Sequence, residues 1–259
     1  MELRVDNKVA IVTGAGGGFG AVYSKAFAEA GAKVVLADVN LEAAQLEADK
    51  LKQQGFDCQA VHVDVGSPES TAAMAAAAVE RYGGVDILVN NAAMMAEIRN
   101  DPNAESMSTT LENIPNELWN RVLQVNLTGP LLCVQAVVPS MRERGGGKII
   151  NQVSVGAFMP GGVYGVSKLG LVSLTVSLAQ ELGPDNITVN AIAPGFVDNP
   201  AGREAMGSEY ELMLEAQVPL KTFGVPEDFT GALLFLSSSA SDWMTGKTMT
   251  IDGGLIVKI

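Results

Sequence analysis

Short apolar runs alternate with helix-forming stretches along almost the whole chain, and that rhythm limits the fold more than any other feature. Val9–Thr13, Lys33–Ala37, Ala60–Val63, Ile87–Asn90, Lys148–Val153, Thr188–Ile192 and Thr248–Ile251 read as strands. They are short, several are β-branched, and Gly, Asp or Asn bounds them. Helical stretches fall between them, near 19–30, 41–54, 68–82, 115–143, 162–182 and 226–239. Ser67 and Pro68 suit the N-cap and first position of the third helix. Gly31 and Gly55 suit left-handed ends for the first two. Strands joined through helices need right-handed crossovers, which give a parallel sheet covered on both faces. The 259 residues, 47% of them apolar, suffice for one such core, and no linker, repeat or low-complexity segment divides them. The expectation is one α/β domain over 1–259, a doubly wound parallel sheet with helices on both faces. Two segments break the rhythm. Residues 94–116 include the polar run Glu97 to Asn113, with a turn signal at Asp101-Pro102-Asn103, and 196–224 carry several prolines and a short helix near 203–216. Both follow the C-terminal ends of strands, where open α/β sheets hold their ligand, so both are read as substrate-covering loops.

Composition removes several classes of function. The net charge is −12, from 29 acidic and 17 basic residues, which argues against nucleic acid and anionic membrane as partners. Cys58 and Cys133 form no C-x-x-C pair, so no disulfide framework or zinc site is expected, and a reducing, cytoplasmic location fits. His62 is the sole histidine, which leaves no basis for Ser-His-Asp chemistry or a histidine metal site; no metal is expected. Asp6 and Lys8 interrupt any N-terminal apolar run, and the uncharged stretch Leu169 to Gln180 is too short to span a bilayer. The stretches 162–182 and 118–141 are apolar around most of their circumference, so they need cover on two sides. A second copy of the chain supplies it most simply, which predicts a homo-oligomer, a dimer or a tetramer.

Thr13-Gly14-Ala15-Gly16-Gly17-Gly18-Phe19-Gly20 closes the first strand and opens the first helix. In that place Gly14 permits a tight turn, Gly18 lets backbone approach a pyrophosphate, and Gly20 lets helix and strand pack closely. Free N–H groups and the helix dipole then face the phosphates, as in a Rossmann-like dinucleotide site. Asp38, ending the second strand, can accept hydrogen bonds from the adenosine ribose and would repel a 2′-phosphate. Val39, Asn40 and Leu41 offer no cation, so NAD is favoured over NADP. Asp64 ends the third strand, placed to reach adenine or to cap its own loop.

Tyr164 and Lys168 lie four residues apart in a helical stretch, on one face, with Ser154 upstream. At ~4 Å and an effective dielectric of ~20, an ammonium and a phenolate attract by ~4 kcal/mol. That brings a tyrosine from about 10 towards neutrality, where it can exchange protons at physiological pH.

In this order the motifs resemble those of the short-chain dehydrogenase/reductase family, from about Lys8 to Gly254. Thr13 to Gly20 matches its glycine-rich T-G-x-x-x-G-x-G; Asp64 matches its adenine-contacting acid. Asn90-Asn91-Ala92-Ala93 is similar to its N-N-A-G, and Asn126 matches the asparagine of its long central helix. Ser154, Tyr164 and Lys168 match its catalytic residues; Pro194-Gly195 and Asp252-Gly253-Gly254 match its P-G and D-G-G. The resemblance implies reversible hydride transfer between NAD(H) and a substrate carbinol carbon. Tyr164 is then the acid–base, Ser154 holds the substrate oxygen, Lys168 tunes Tyr164 and binds the nicotinamide ribose, and Asn126 orders a water leading to Lys168. It implies cofactor contacts at Gly14, Gly18, Phe19, Gly20, Asp38, Asp64, Val65, Asn91, Tyr164, Lys168 and Val197.

The chain departs from the family pattern in four places. Ala93 replaces a glycine. Asn199 stands where a threonine often holds the nicotinamide carboxamide. The step from Ser154 to Tyr164 is a few residues short, and the segment from Met94 to Asn116 is long. Candidate substrate-lining residues are Met94, Met95, Val155, Phe158, Met159, Phe196, Met206, Tyr210 and Met213. Methionine adapts to irregular apolar shapes, and few charges fall on loops near Ser154. An apolar secondary alcohol or ketone is the expected small-molecule substrate, with a sugar or polyol as runner-up.

Overall fold

The computed structural model describes residues 3–95, 111–198, 212 and 216–255. Its strands are β1 (Val9–Thr13), β2 (Lys33–Asp38), β3 (Cys58–His62), β4 (Ile87–Asn90), β5 (Gly147–Gln152), β6 (Ile187–Pro194) and β7 (Thr248–Ile251). Its helices are α1 (Gly18–Glu29), α2 (Leu41–Gln53), α3 (Pro68–Tyr82), α4 (Asn116–Leu123), α5 (Gly129–Glu143), α6 (Gly162–Leu182) and α7 (Thr230–Ser237). The strands form one parallel sheet in the order β3-β2-β1-β4-β5-β6-β7. The chain reverses its direction of winding between β1 and β4, so their C-terminal ends form the switch point at which such sheets bind ligands.

The central strands are buried on both faces, which is why they read as unbroken apolar runs. Alternate residues feed two cores. Ala10, Val12 and Ile150 pack with Tyr23 and Phe27 of α1, Ala44 and Leu51 of α2, and Leu233 of α7. Ile11, Leu88 and Ile149 pack with Met74 of α3, Val134 and Val137 of α5, and Leu178 of α6. The helix ends follow the sequence. Ser67 Oγ accepts from the Ser70 N–H at 3.1 Å, and Gly31 and Gly55 have φ of 93° and 90°.

The stretch over 115–143 is broken where a single helix was expected. A wide π turn, Gln124–Thr128, separates α4 from α5, with the Gly129 N–H reaching back to the Gln124 carbonyl. Pro130 has no N–H for the Asn126 carbonyl, so the regular ladder fails there. Gly129 also lies against Val65: a Cβ at Gly129 would come within 2.9 Å of Val65 Cγ2. Similarly, 226–239 divides into a tight turn, Pro226–Phe229, and α7. By length and composition Asn116–Glu143 and Gly162–Asp185 could each cross a bilayer, since the whole helix tolerates the charges that interrupt its shorter runs. In this fold both lie along the sheet and feed its core. The helix expected near 203–216 falls mostly outside the described residues, as do Asn199, Met206, Tyr210, Met213 and most of the segment after Met95.

Candidate active site

The glycines after β1 divide their work. Gly14 has φ of 66°, and a Cβ there would sit 2.9 Å from Ala92 Cα. Gly20 lies on the Gly14 carbonyl, where a Cβ would meet Gly14 and Ala15 backbone, so it sets how closely α1 approaches β1. Gly17 and Gly18 are exposed, and a Cβ at either meets nothing within 4 Å. No side chain caps α1. The result is an open floor of glycine backbone over uncapped N–H groups, which fits a dinucleotide pyrophosphate in charge and shape. Phe19 flanks this floor and packs on Tyr23 and Phe229.

Asp38 stands beside the same floor. Its Oδ2 accepts the Gly16 N–H at 2.8 Å and its Oδ1 the Asn40 N–H at 2.8 Å, so the carboxylate is fixed in orientation at the C-terminal end of β2. Asp64 is exposed; its Oδ1 closes the turn to the Gly66 N–H at 2.9 Å. Val65 is buried against Gly129. Asn91 ties the switch point together: its Nδ2 donates to the Thr13 and Gly14 carbonyls at 2.9 and 3.1 Å. Thr13 completes the tie by accepting the Asn91 and Ala92 N–H groups, each at 3.1 Å. Val197 packs on the α1-side core and bridges to Gly224.

Just beyond the C-terminal end of β5, Ser154 caps a tight turn, Val155–Ala157, and its Oγ accepts the Gly156 N–H at 3.1 Å. That bond leaves the hydroxyl proton free to donate. Gly156 lies between Ser154 and Tyr164: a Cβ there would meet Ser154 Oγ at 3.4 Å and Tyr164 Cε1 at 3.6 Å. The short step between the two residues is possible because the Gly156 carbonyl rests directly on the start of α6. A Cβ at Gly161 would fall 2.8 Å from that oxygen, and one at Gly165 2.6 Å.

Lys168 is 1% exposed, and its Nζ donates to the Gln152 carbonyl at 2.7 Å and lies 5.6 Å from the Tyr164 ring centre. Burial pulls its pKa down to about 7. Asn126 sits in the π turn with no exposure. Its Oδ1 accepts the Met94 N–H at 2.7 Å, while its Nδ2 donates to the Met94 carbonyl and to Ser167 Oγ, each at 3.1 Å. Ser167 donates on to the Tyr164 carbonyl at 2.7 Å. These bonds place Asn126 as a clamp between the exit of β4 and the turn carrying Tyr164. Sequence reasoning passed over Ser167 and Gly156, whose signals were only a small polar residue or a glycine beside a motif position, and it named Thr13 only as the start of the glycine-rich motif.

Among the lining candidates, Met94 and Val155 are buried, Phe158 leans on the core around Leu171 and Ala191, Met159 and Phe196 are half-buried, and Met95 is exposed. Cys58 and Cys133 are buried, and burial pushes the Cys133 thiol up to about 12, so neither serves as a nucleophile. The arrangement offers a hydroxyl donor and a phenol that can share one substrate oxygen, with a buried cation behind the phenol.

The chain is similar over nearly its whole length to known oxidoreductases. Residues 14–256 match the family profile described as Enoyl-(Acyl carrier protein) reductase. The chain is 40% identical to an uncharacterised oxidoreductase of Mycobacterium tuberculosis, over 98% of this chain and 99% of that one. It is 32% identical to the 7alpha-hydroxysteroid dehydrogenase of Bacteroides fragilis, over 98% and 96%. The crystal structure of a gluconate 5-dehydrogenase from Burkholderia cenocepacia, in complex with NADP and tartrate, superposes with a TM-score of 0.90 at 30% identity, covering 99% and 98% of the two chains. A parallel sheet wound in this order, the ordered motifs and full-length similarity to such enzymes make this chain an oxidoreductase of the short-chain dehydrogenase/reductase family.

Proposed function

We propose that the protein is an NAD-dependent dehydrogenase/reductase that interconverts a largely apolar secondary alcohol and its ketone, with Tyr164 as acid–base. The observation that carries this reading is the Ser154–Gly156–Tyr164 wedge backed by buried Lys168. A bound nicotinamide supplies the hydride acceptor in oxidation and the donor in reduction. Tyr164 takes the alcohol proton in one direction and returns it in the other. Ser154 donates a hydrogen bond to the same oxygen and stabilises its developing charge. Lys168, short of water, favours negative charge on the phenol beside it. Asn126 holds the turn that carries Tyr164 in register with the end of β4.

Support for NAD comes from the fixed Asp38 carboxylate at the ribose end; the gluconate 5-dehydrogenase complex with NADP sets the contrary outcome. Support for an apolar, alicyclic substrate comes from Met94, held against Asn126, from Val155 in the turn that Ser154 caps, and from the hydroxysteroid dehydrogenase relative. The gluconate enzyme supports the second reading, a polyol or sugar acid. Rates of NADH formation over a panel of steroid, alicyclic and polyol alcohols decide between them; oxidation of polyols alone overturns the first. Tyr164→Phe is expected to abolish turnover and keep NAD binding, and retained turnover refutes the role of Tyr164.

The same proposal extends to assembly and location. Val166, Leu169 and Val176 form an exposed apolar stripe on α6, and a second copy covers it in a dimer or tetramer. Sedimentation of Leu169→Glu/Val176→Glu should show monomers where the parent shows oligomers. A cytoplasmic setting fits two buried, reduced cysteines.

A further inference from the structure

Polar side chains at the end of a buried strand need partners. Gln152, the last residue of β5, is 8% exposed and shares the α1 face of the sheet with Ile150. Its Oε1 accepts a hydrogen bond from the Tyr23 hydroxyl at 2.7 Å. Tyr23 is fully buried, and burial holds its phenol far above the usual range, so it stays a protonated donor. Among the described residues, Gln152 Oε1 is the only acceptor for that proton. The bond therefore fixes which end of the Gln152 amide faces α1.

The opposite end carries two N–H groups, and among the described residues no protein acceptor takes either. The main-chain oxygen of the same residue already receives the Lys168 ammonium at 2.7 Å. Tyr23 in turn packs on Phe19 with ring centres 5.6 Å apart, and Phe19 flanks the open glycine floor. Gln152 thus stands between the pyrophosphate-side helix and the reaction-side lysine, at the C-terminal edge of the sheet, with an oriented and unused donor pair.

We propose that Gln152 is a cofactor-positioning residue, whose Nε2 hydrogens, oriented by Tyr23, bind the nicotinamide nucleoside of the dinucleotide. The proposal rests on the dinucleotide reading above. It also gives the chain a donor for that half of the cofactor where Asn199 replaces the family's threonine.

Calorimetric titration tests it with NAD+ and with ADP, which ends at the pyrophosphate. Gln152→Met keeps length and loses both donors; Tyr23→Phe keeps the packing and releases the amide. Gln152→Met should weaken NAD+ about five- to tenfold and Tyr23→Phe about threefold, the range expected for one neutral hydrogen bond. ADP binding should stay within about twofold in both, and the double variant should match Gln152→Met alone, since the two residues act as one unit. Retained ADP binding shows that the site is folded whatever the change in thermal stability. Unchanged NAD+ affinity in Gln152→Met, or equal weakening of NAD+ and ADP, overturns the proposal. Failure of the wild-type protein to bind either molecule overturns the dinucleotide reading instead, and this proposal with it.

Discussion

Gly17 and Gly20 lie three residues apart in one glycine-rich loop, yet alanine at each should have opposite consequences. A Cβ at Gly20 would sit 2.0 Å from the Gly14 oxygen, 2.7 Å from its carbonyl carbon and 2.8 Å from Ala15 Cα. An ordinary C···O separation is about 3.3 Å, so the first contact is short by about 1.3 Å. All three atoms are main chain, so no rotamer change relieves them. Gly14 cannot retreat, because its own Cα faces Ala92 and its carbonyl accepts from Asn91 Nδ2 at 3.1 Å. The remaining response is for α1 to move off the sheet, which loosens Tyr23 and Phe27 in the core. Overpacking of this kind costs about 1–3 kcal/mol, and in a chain of this size each kcal/mol shifts Tm by about 2–4 °C. Gly20→Ala should lower the apo Tm by roughly 2–12 °C. Gly17 has φ of 174°, extended backbone open to any residue, with free space around it. Gly17→Ala should leave the apo Tm within about 1 °C and weaken only dinucleotide binding, since its methyl group stands on the open floor. Differential scanning fluorimetry with a parallel NAD+ titration reads both effects. Equal apo Tm values for the two variants would refute the division of work between these glycines.

The remaining predictions concern charge and buried polarity. Burial lowers Lys168 from the ordinary 10.5 to about 7, so between those values the unfolded chain binds more protons than the folded one. Apo stability should therefore rise with pH across that window, and urea midpoints for Lys168→Met should lose that rise. Asp38→Ala removes the carboxylate that would repel a 2′-phosphate, and the ratio of kcat/KM for NAD over NADP should fall at least about tenfold; an unchanged ratio removes Asp38 from cofactor choice. Asn90 Nδ2 donates to Asn151 Oδ1 at 2.8 Å, and Asn151 Nδ2 to Thr175 Oγ1 at 2.9 Å, in a buried row tying β4 and β5 to α6. Asn151→Leu leaves Asn90 Nδ2 only its long 3.5 Å bond to the Pro130 carbonyl and should cost about 2–3 kcal/mol by urea unfolding, while Asn90→Leu/Asn151→Leu should recover part of it.

What was legible in the sequence is what short-range pattern dictates. β1 and β4 are buried on both faces, so their positions showed as bounded apolar runs, and Ser67, Pro68, Gly31 and Gly55 marked helix ends through local backbone chemistry. The π turn was not legible, because it combines a missing donor at Pro130 with the close approach of Val65 to Gly129, residues far apart in sequence. The partners of Asn126 were hidden for the same reason. Gly156, Gly161 and Gly165 were visible as glycines, yet only the fold shows them stacked on one carbonyl, which is what lets a short step join Ser154 to Tyr164. The Tyr23–Gln152 bond spans 129 positions and leaves no periodic trace. The lining candidates were chosen by loop and polarity alone, a criterion blind to direction: Phe158 packs on the core around Leu171.

The burial of Lys168 connects these separate observations. A lysine on the surface would carry its charge whatever happened around it; this one is held near 7 by desolvation, so its charge depends on what surrounds it. Negative charge appearing on Tyr164 stabilises the ammonium, and the ammonium stabilises that negative charge, so the two protonation states are linked. The strength of the linkage depends on three things the fold controls: the depth of Lys168, its bond to the Gln152 carbonyl, and its distance to the phenol. Each is set by a different element. The end of β5 fixes the carbonyl, α6 fixes the spacing of Tyr164 and Lys168, and the Asn126–Ser167 clamp fixes the first turn of α6 against β4. If Tyr164 is the acid–base group proposed above, it is tuned by the junction of three elements more than by any single neighbour. It follows that a substitution at Asn126 or Ser167, neither of which touches the reacting oxygen in this reading, should move the pH profile of turnover as well as its height. A change in height alone would mean that Asn126 and Ser167 only support the fold.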